Sequence, residues 1–204
     1  MSVLKLESGS GCLVLASSSP RRSALLMQVG IAFRVVHPQV DEEAISHPDP
    51  IETAAMRAAA KLEVARPLMR PDESALLSAD TMVFLGNTTF GKPANREEAA
   101  HMLQSLAGRT HTVVTACAML TPGDTLHQFI DTADVRFLPL DESEIADYLD
   151  HQEWRGVAGG YRVQGVAARF LESIHGSYAT VMGLPIHRVY SILRPHIGTQ
   201  QPSQ

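Results

Sequence analysis

The sequence predicts a mixed α/β fold, with strands and helices interleaved along one chain. Three observations carry that reading. Short apolar runs of strand length, Cys12 to Ala16 and Ala75 to Leu85, stand between segments whose apolar residues recur at helical spacing. Helix starts are spelled out by Asp49-Pro50-Ile51-Glu52 and by Asp141 with Glu144. Two β-branched stretches flank Pro122-Gly123-Asp124, as the arms of a long hairpin would.

At 204 residues, with 45% hydrophobic and 19% charged side chains, the chain can bury a full core. One domain is expected over residues 12–197, between an N-terminal tail, 1–11, and a C-terminal tail, 198–204. No apolar stretch approaches the length that spans a bilayer. Met1 to Gly11 has one lysine before a short apolar run, unlike a secretory signal, so a cytoplasmic protein with no membrane partner is expected. The net charge of -5 argues against nucleic acid as a partner. Cys12 and Cys117 lack paired spacing and read as small buried hydrophobes. The 17 basic residues include only three lysines, Lys5, Lys61 and Lys92. Retention of the last two suits a compact point charge, though an arginine-rich genome explains the scarcity elsewhere equally well.

Taken in order, the run Cys12 to Ala16 stops at Ser17-Ser18-Ser19-Pro20-Arg21-Arg22, and a helix is read from Ser23 to Val29. A turn of small hydroxyl residues before a helix N-terminus binds anions through free N–H groups. Arg21 and Arg22 oppose the dipole there, so a bound polyanion accounts for them better than helix stability does. Taken alone, the stretch reads rather as a capped surface helix with solvated arginines. Gly30 closes the helix and Phe33 to Val36 reads as a strand. Val40-Asp41-Glu42-Glu43 is either a solvated acidic loop or a source of magnesium ligands.

Asp49 then caps a helix to about Arg66, with Ile51, Ala55, Ala58, Leu62 and Ala65 as its apolar stripe and Lys61 at the edge. Lys61 there either points an ammonium into a cleft or snorkels to the surface. Pro67 to Asp72 is a loop, and Ala75 to Leu85 a central strand holding Asp80. An ionised carboxylate in an apolar strand costs several kcal/mol unless a cation, a metal or hydrogen bonds compensate it, which marks Asp80 as functional. Thr81 points to the opposite face of a regular strand. Gly86 to Lys92 spells G-x-x-x-x-G-K, but Pro93 replaces the hydroxyl a phosphate loop needs, so Asn87-Thr88-Thr89 reads as a turn between strands.

Arg96 to Ala107 is an amphipathic helix with Ala99, Met102, Leu103 and Leu106 inward. His111 alternates with Val113, Thr115 and Cys117 in the first hairpin arm and reads as a hydrogen-bonded core histidine. A capped helix from Asp141 to about Leu149 precedes Trp154 to Gly165, a glycine-rich stretch. It is either a flexible linker or an ordered loop in which Gln164 can read a base edge. Phe170 to Ile174 is short and apolar, His175 to Tyr178 a loop, and Leu184 onward a terminal helix.

No serine-hydrolase elbow, metalloprotease pair or paired C-x-x-C is present. What remains are the parts of a magnesium-dependent enzyme acting on a nucleotide polyphosphate. The motifs Ala16-Ser17-Ser18-Ser19-Pro20-Arg21-Arg22, Val40-Asp41-Glu42-Glu43, Ala79-Asp80-Thr81, Gly91-Lys92-Pro93, Gly108-Arg109-Thr110-His111, Ala158 to Gly165 and Gly176 to Pro185, with Lys61, run from Leu15 to about Leu193. In that order they resemble the Maf nucleoside triphosphate pyrophosphatases, also called septum formation inhibitor Maf. The resemblance implies hydrolysis of a nucleoside triphosphate to monophosphate and pyrophosphate. It implies a fold like inosine triphosphate pyrophosphatases: an elongated twisted mixed sheet with flanking helices and two lobes around a cleft, as a homodimer.

By position, Asp80 resembles the family's proton acceptor and metal-associated carboxylate, with Glu42 assisting a divalent cation, magnesium or else manganese or cobalt. Ser17, Arg21, Arg22, Lys61 and the catalytic Lys92 resemble its phosphate-contacting residues. Arg21, Thr81 and Gln164 match the branch acting on dTTP and UTP; the branch acting on 7-methyl-GTP typically has tryptophan, glutamine and glutamate there. The chain departs from the family at Val157, where lysine is usual, and at Arg162, where glycine is usual. The competing class is a non-catalytic nucleotide-binding regulator of septation, which would not need the water-activating carboxylate of Asp80.

Overall fold

Aliphatic and β-branched runs form the strands, and capped segments with an apolar face form the helices. The structure, a computed structural model, describes residues 4–7 and 11–198. In chain order the elements are β1 (Lys5–Leu6), β2 (Leu13–Ala16), α1 (Pro20–Gln28), β3 (Phe33–Val36), α2 (Pro50–Ala65), β4 (Leu76–Leu85), β5 (Thr88–Phe90), α3 (Arg96–Leu106), β6 (Thr110–Thr121), β7 (Thr125–Phe137), α4 (Glu142–Asp150), β8 (Leu171–His175), α5 (Tyr178–Val181), α6 (Ile186–Leu193) and β9 (Ile197–Gly198). Strands neighbour one another in the order β3-β2-β4-β6-β7-β8, with β5 beside β4. β2 runs parallel to both β3 and β4, whereas β5 is antiparallel to β4 and β8 to β7. The sheet is therefore mixed.

Several boundaries differ from the sequence reading. α1 starts at Pro20 rather than Ser23, because proline presets φ and lacks the N–H that would go unpaired in a first turn. Leu85 pairs with Thr88, so the turn after β4 is Gly86-Asn87 alone, and Gly86 takes the left-handed φ of +58° that this tight reversal needs. His175 closes β8 and a short helix, α5, already begins at Tyr178. Lys5 and Gly198, read as tail residues, stand in β1 and β9, which pair antiparallel; residues 199–204 lie outside the described ones.

The chain divides into two compact units. The first comprises Met1–Asp80, Ala116–Ile130 and Gly183–Gln204. Its core joins Val14 and Ala16 of β2, Val36 of β3, Leu62 and Ala65 of α2, Leu76 of β4, and Ala118 and Leu120 of β6. Each leucine so buried contributes about 2 kcal/mol. α2 buries Thr53, Ala54, Ala58, Lys61, Leu62 and Ala65. That face is rotated from the predicted stripe, which placed Lys61 at the boundary; Lys61 is instead inside, because carboxylates meet it there.

The second unit comprises Thr81–Thr115 and Asp131–Met182. α3 buries Ala99, Met102, Leu103 and Leu106 as its spacing predicts, and Asn95 caps it by accepting from the Glu98 N–H at 2.8 Å. α4 carries the predicted reciprocal cap between Asp141 and Glu144, and Arg96 pairs with its Asp150 at 2.6 Å. Inside, His111, Phe137 and Tyr161 stack edge to face, with ring centroids 4.9–5.4 Å apart.

His111 is 1% exposed, and its Nε2 meets the Tyr161 hydroxyl at 2.8 Å while Nδ1 is buried with no hydrogen-bond partner among the described residues. Burial lowers its pKa from 6.5 to about 4, against a smaller opposing pull from Asp134. The unfolded chain takes up this proton near its ordinary value and the folded chain does not. Between those two values the unfolded state binds more protons, so stability is lost as pH falls. The expected loss is about 3 kcal/mol. Denaturant midpoints measured across that window test it: His111→Phe, which cannot protonate, should flatten the slope.

Candidate active site

β2 ends at Ala16 and delivers Ser17 into the turn before α1. The buried Ser17 hydroxyl accepts from the Ser19 N–H at 3.1 Å and from Arg22 Nη1 at 3.2 Å. Ser19 occupies the N-cap position, yet its side chain makes no cap. Ser17 is thus the hydroxyl that folds the turn. Arg22 is buried, and its Nε donates to the Gly183 carbonyl at 2.7 Å, so framework bonds on two nitrogens fix the guanidinium before any ligand arrives. Burial pulls its pKa down, against the raising fields of Asp80, Cys117 and Glu42, and it remains a cation. Arg21 is half-buried in the same first helical turn.

Parallel pairing brings the second part of the site to the same strand ends. Ala16 stands opposite Ser78, so Ser17 and Asp80 both lie just beyond that pair, where open α/β sheets characteristically hold ligands. Ser78, two residues before Asp80 and therefore on its face of β4, holds the strand in place: its Oγ lies 2.7 Å from the Ala58 carbonyl of α2 and 3.2 Å from that of Ala118 in β6.

Asp80 is 5% exposed, and its Oδ1 accepts from Lys61 Nζ at 2.6 Å. The same ammonium reaches Glu42 Oε1 at 2.9 Å. One buried cation therefore bridges two carboxylates, which offsets a desolvation cost that neither charge could bear alone. Asp80 Oδ2 is buried and has no hydrogen-bond partner among the described residues. Glu42 has 29% of its side chain exposed, so solvent reaches the cluster from that side.

Ser17, Arg22, Glu42, Lys61 and Asp80, all singled out from the sequence, are thus gathered in the first unit with Arg21 beside them. Thr81, Lys92 and Gln164 belong to the second unit. There the Thr81 hydroxyl lies 3.0 Å from that of Thr115, and Lys92 and Gln164 are exposed. The loop carrying Gln164 is pinned by Glu153, whose carboxylate accepts from the Val166 N–H at 2.8 Å. A Cβ on Gly165 would strike that carboxylate and displace Glu153 from the Val166 N–H. Val157 is buried, and Arg162 directs Nη2 to the Arg155 carbonyl at 3.4 Å. Sequence reasoning gave Ser78 and Gly183 no role in the site; alternation with Asp80 was the available signal for the first, and the second entered only within the motif Gly176 to Pro185.

A family model described as Maf-like protein matches residues 12–196. The chain belongs to the Maf family. Among curated Maf-family relatives it is 41% identical over 182 residues to the dTTP/UTP pyrophosphatase of Aquifex aeolicus (strain VF5), covering 89% of this chain and 94% of that protein. It is 43% identical over 186 residues to the dTTP/UTP pyrophosphatase of Rhodopseudomonas palustris (strain ATCC BAA-98 / CGA009), covering 89% and 90%. Among solved structures, a nucleoside-triphosphatase / dITP/XTP pyrophosphatase from Mycobacterium abscessus aligns over 90% of this chain and 94% of that one, at 14% identity and a TM-score of 0.42. No helix among the described residues is long and apolar enough to cross a membrane.

Proposed function

We propose that this chain hydrolyses dTTP and UTP at the bond between the α- and β-phosphates, releasing nucleoside monophosphate and pyrophosphate. The observation that carries the reading is the buried Lys61 bridge between Asp80 and Glu42, with Asp80 Oδ2 left unpartnered. A buried acceptor oxygen held beside fixed cations, with solvent reaching the cluster from the Glu42 side, is what a water-activating base requires. The two relatives named dTTP/UTP pyrophosphatase support the substrate.

Asp80 orients a water and takes its proton as the water oxygen bonds to phosphorus and the bridging oxygen leaves with pyrophosphate. Arg22, preset by Ser17 and Gly183, holds phosphate oxygens with Arg21, and Lys61 and Lys92 add point charge. Thr81 and Gln164 read the base. The donor set also fits a divalent cation: two carboxylates, one with a free buried oxygen, suit magnesium, which takes few protein ligands and completes its shell with water and substrate phosphates. Asp80 and Glu42 would hold it, and when bound it would supply positive charge against the triphosphate oxygens; manganese or cobalt would suit the same oxygens. On the resemblance alone, the same proposal extends to a cytoplasmic homodimer.

The test is to incubate the protein with magnesium and dTTP, UTP, CTP or 7-methyl-GTP and resolve the products by chromatography. Monophosphate and pyrophosphate from dTTP and UTP are expected. Diphosphate and orthophosphate would overturn the cleavage site, and binding without turnover would favour a non-catalytic regulator.

A further inference from the structure

The charged groups around Asp80 balance one another before any ligand is added. Asp80 and Glu42 are two carboxylates, and Lys61 Nζ answers both, at 2.6 and 2.9 Å. The fields of the same two carboxylates reach the buried guanidinium of Arg22. Two anions therefore stand with two cations, and Asp80, at 5% exposure, depends on them more than on water.

The ammonium is delivered to this place by the framework. Ser78, two residues before Asp80, ties β4 to α2 through the Ala58 carbonyl at 2.7 Å. Ala58 and Lys61 are three residues apart on one buried face of α2, so Lys61 extends from the side of the helix that Ser78 grips. Lys61 takes Asp80 Oδ1 and leaves Oδ2 without a hydrogen-bond partner among the described residues, so a buried acceptor is kept for a further cation.

A divalent cation bound to Asp80 and Glu42 would compete with Lys61 for their charge. Added to a balanced cluster, it is repelled by the ammonium and the guanidinium, and any Lys61 contact that yields to it is a buried ion pair lost. We infer that Lys61 stands in for the divalent cation in the nucleotide-free protein and holds down its affinity for free metal. This rests on the proposal that Asp80 and Glu42 are the ligands of that cation. A triphosphate brings more negative charge than the metal brings positive, so the consequence is that metal enters with the nucleotide instead of residing in the protein.

The experiment titrates the full chain with Mn²⁺ in the absence of nucleotide and reads the free ion by electron paramagnetic resonance, so that no turnover is involved. Lys61→Met should bind Mn²⁺ at least about tenfold more tightly than the native protein, and adding Asp80→Asn to that variant should abolish the gain. A smaller gain, or one that survives Asp80→Asn, would overturn the inference. Should Lys61→Met not fold, Lys61→Gln, whose neutral amide still donates to a carboxylate oxygen, is held to the same limits. Mn²⁺ bound by neither protein, with native turnover of dTTP in its presence, would overturn both this inference and the assignment of Asp80 and Glu42 as ligands, while the reaction stands. Native protein that turns over no nucleotide, with the gain in Lys61→Met intact, would defeat the proposed reaction and support the role of Lys61.

Discussion

Replacing Asp80 by asparagine is expected to lower kcat for dTTP about a thousandfold while leaving the fold intact. The amide has the shape of the carboxylate, and its oxygen can still accept from Lys61 where Oδ1 now does. The Nδ2 group that takes the other place is a donor that binds neither a proton nor a cation. Lys61 keeps Glu42 as a counter-charge, so the melting temperature should move by only a few degrees. Product formation under saturating dTTP, with a thermal melt of the same sample, checks both halves. Substantial residual turnover would remove Asp80 from the role of base.

Lys61→Met should harm stability as well as turnover. Lys61 is 8% exposed and answers two carboxylates at 2.6 and 2.9 Å. Methionine fills the space along the α2 face but removes the ammonium that Asp80 and Glu42 share. Stripping one partner from a buried charge cluster costs about 3 kcal/mol, and for a chain of this size that lowers the melting temperature by about 10 °C. Adding Asp80→Asn to Lys61→Met should recover a large part of the loss, because the charge left unpaired is then removed. A single variant that melts with the native protein would mean that the bridge does not hold the cluster together.

The local parts of this site were legible because each is written in a short stretch. Ser17 to Arg22 announces an anion-binding turn, and a lone aspartate inside an apolar strand announces a compensating cation. The same reasoning put Lys61 at the edge of α2, since an apolar stripe says where a helix is greasy and nothing about a carboxylate on another strand that can receive an ammonium inside. Ser19 holds the N-cap position of α1, yet it is Ser17 that turns inward and folds the turn, bonded to Arg22, whose Nε donates to the distant Gly183 carbonyl. The hydroxyl contacts of Thr115 left no trace in the sequence, because a threonine in a β-strand is ordinary and its partners, Thr81 in β4 and the Thr180 carbonyl in α5, are set by register and by tertiary packing. Elements with strong punctuation, such as α3 and α4, fell where their caps and periodicity placed them.

The bond from Arg22 to Gly183 joins residues 161 apart in sequence, and the first unit is assembled from three stretches of chain. Closing so long a loop is entropically late work, done only after nearer contacts have formed. A growing chain will therefore hold β2, α1 and the Asp80 strand well before its arginine is locked into position. Under the proposed function, phosphate capture by Arg22 then waits for the segment around Gly183, and a chain lacking that segment lacks the bond that fixes the guanidinium.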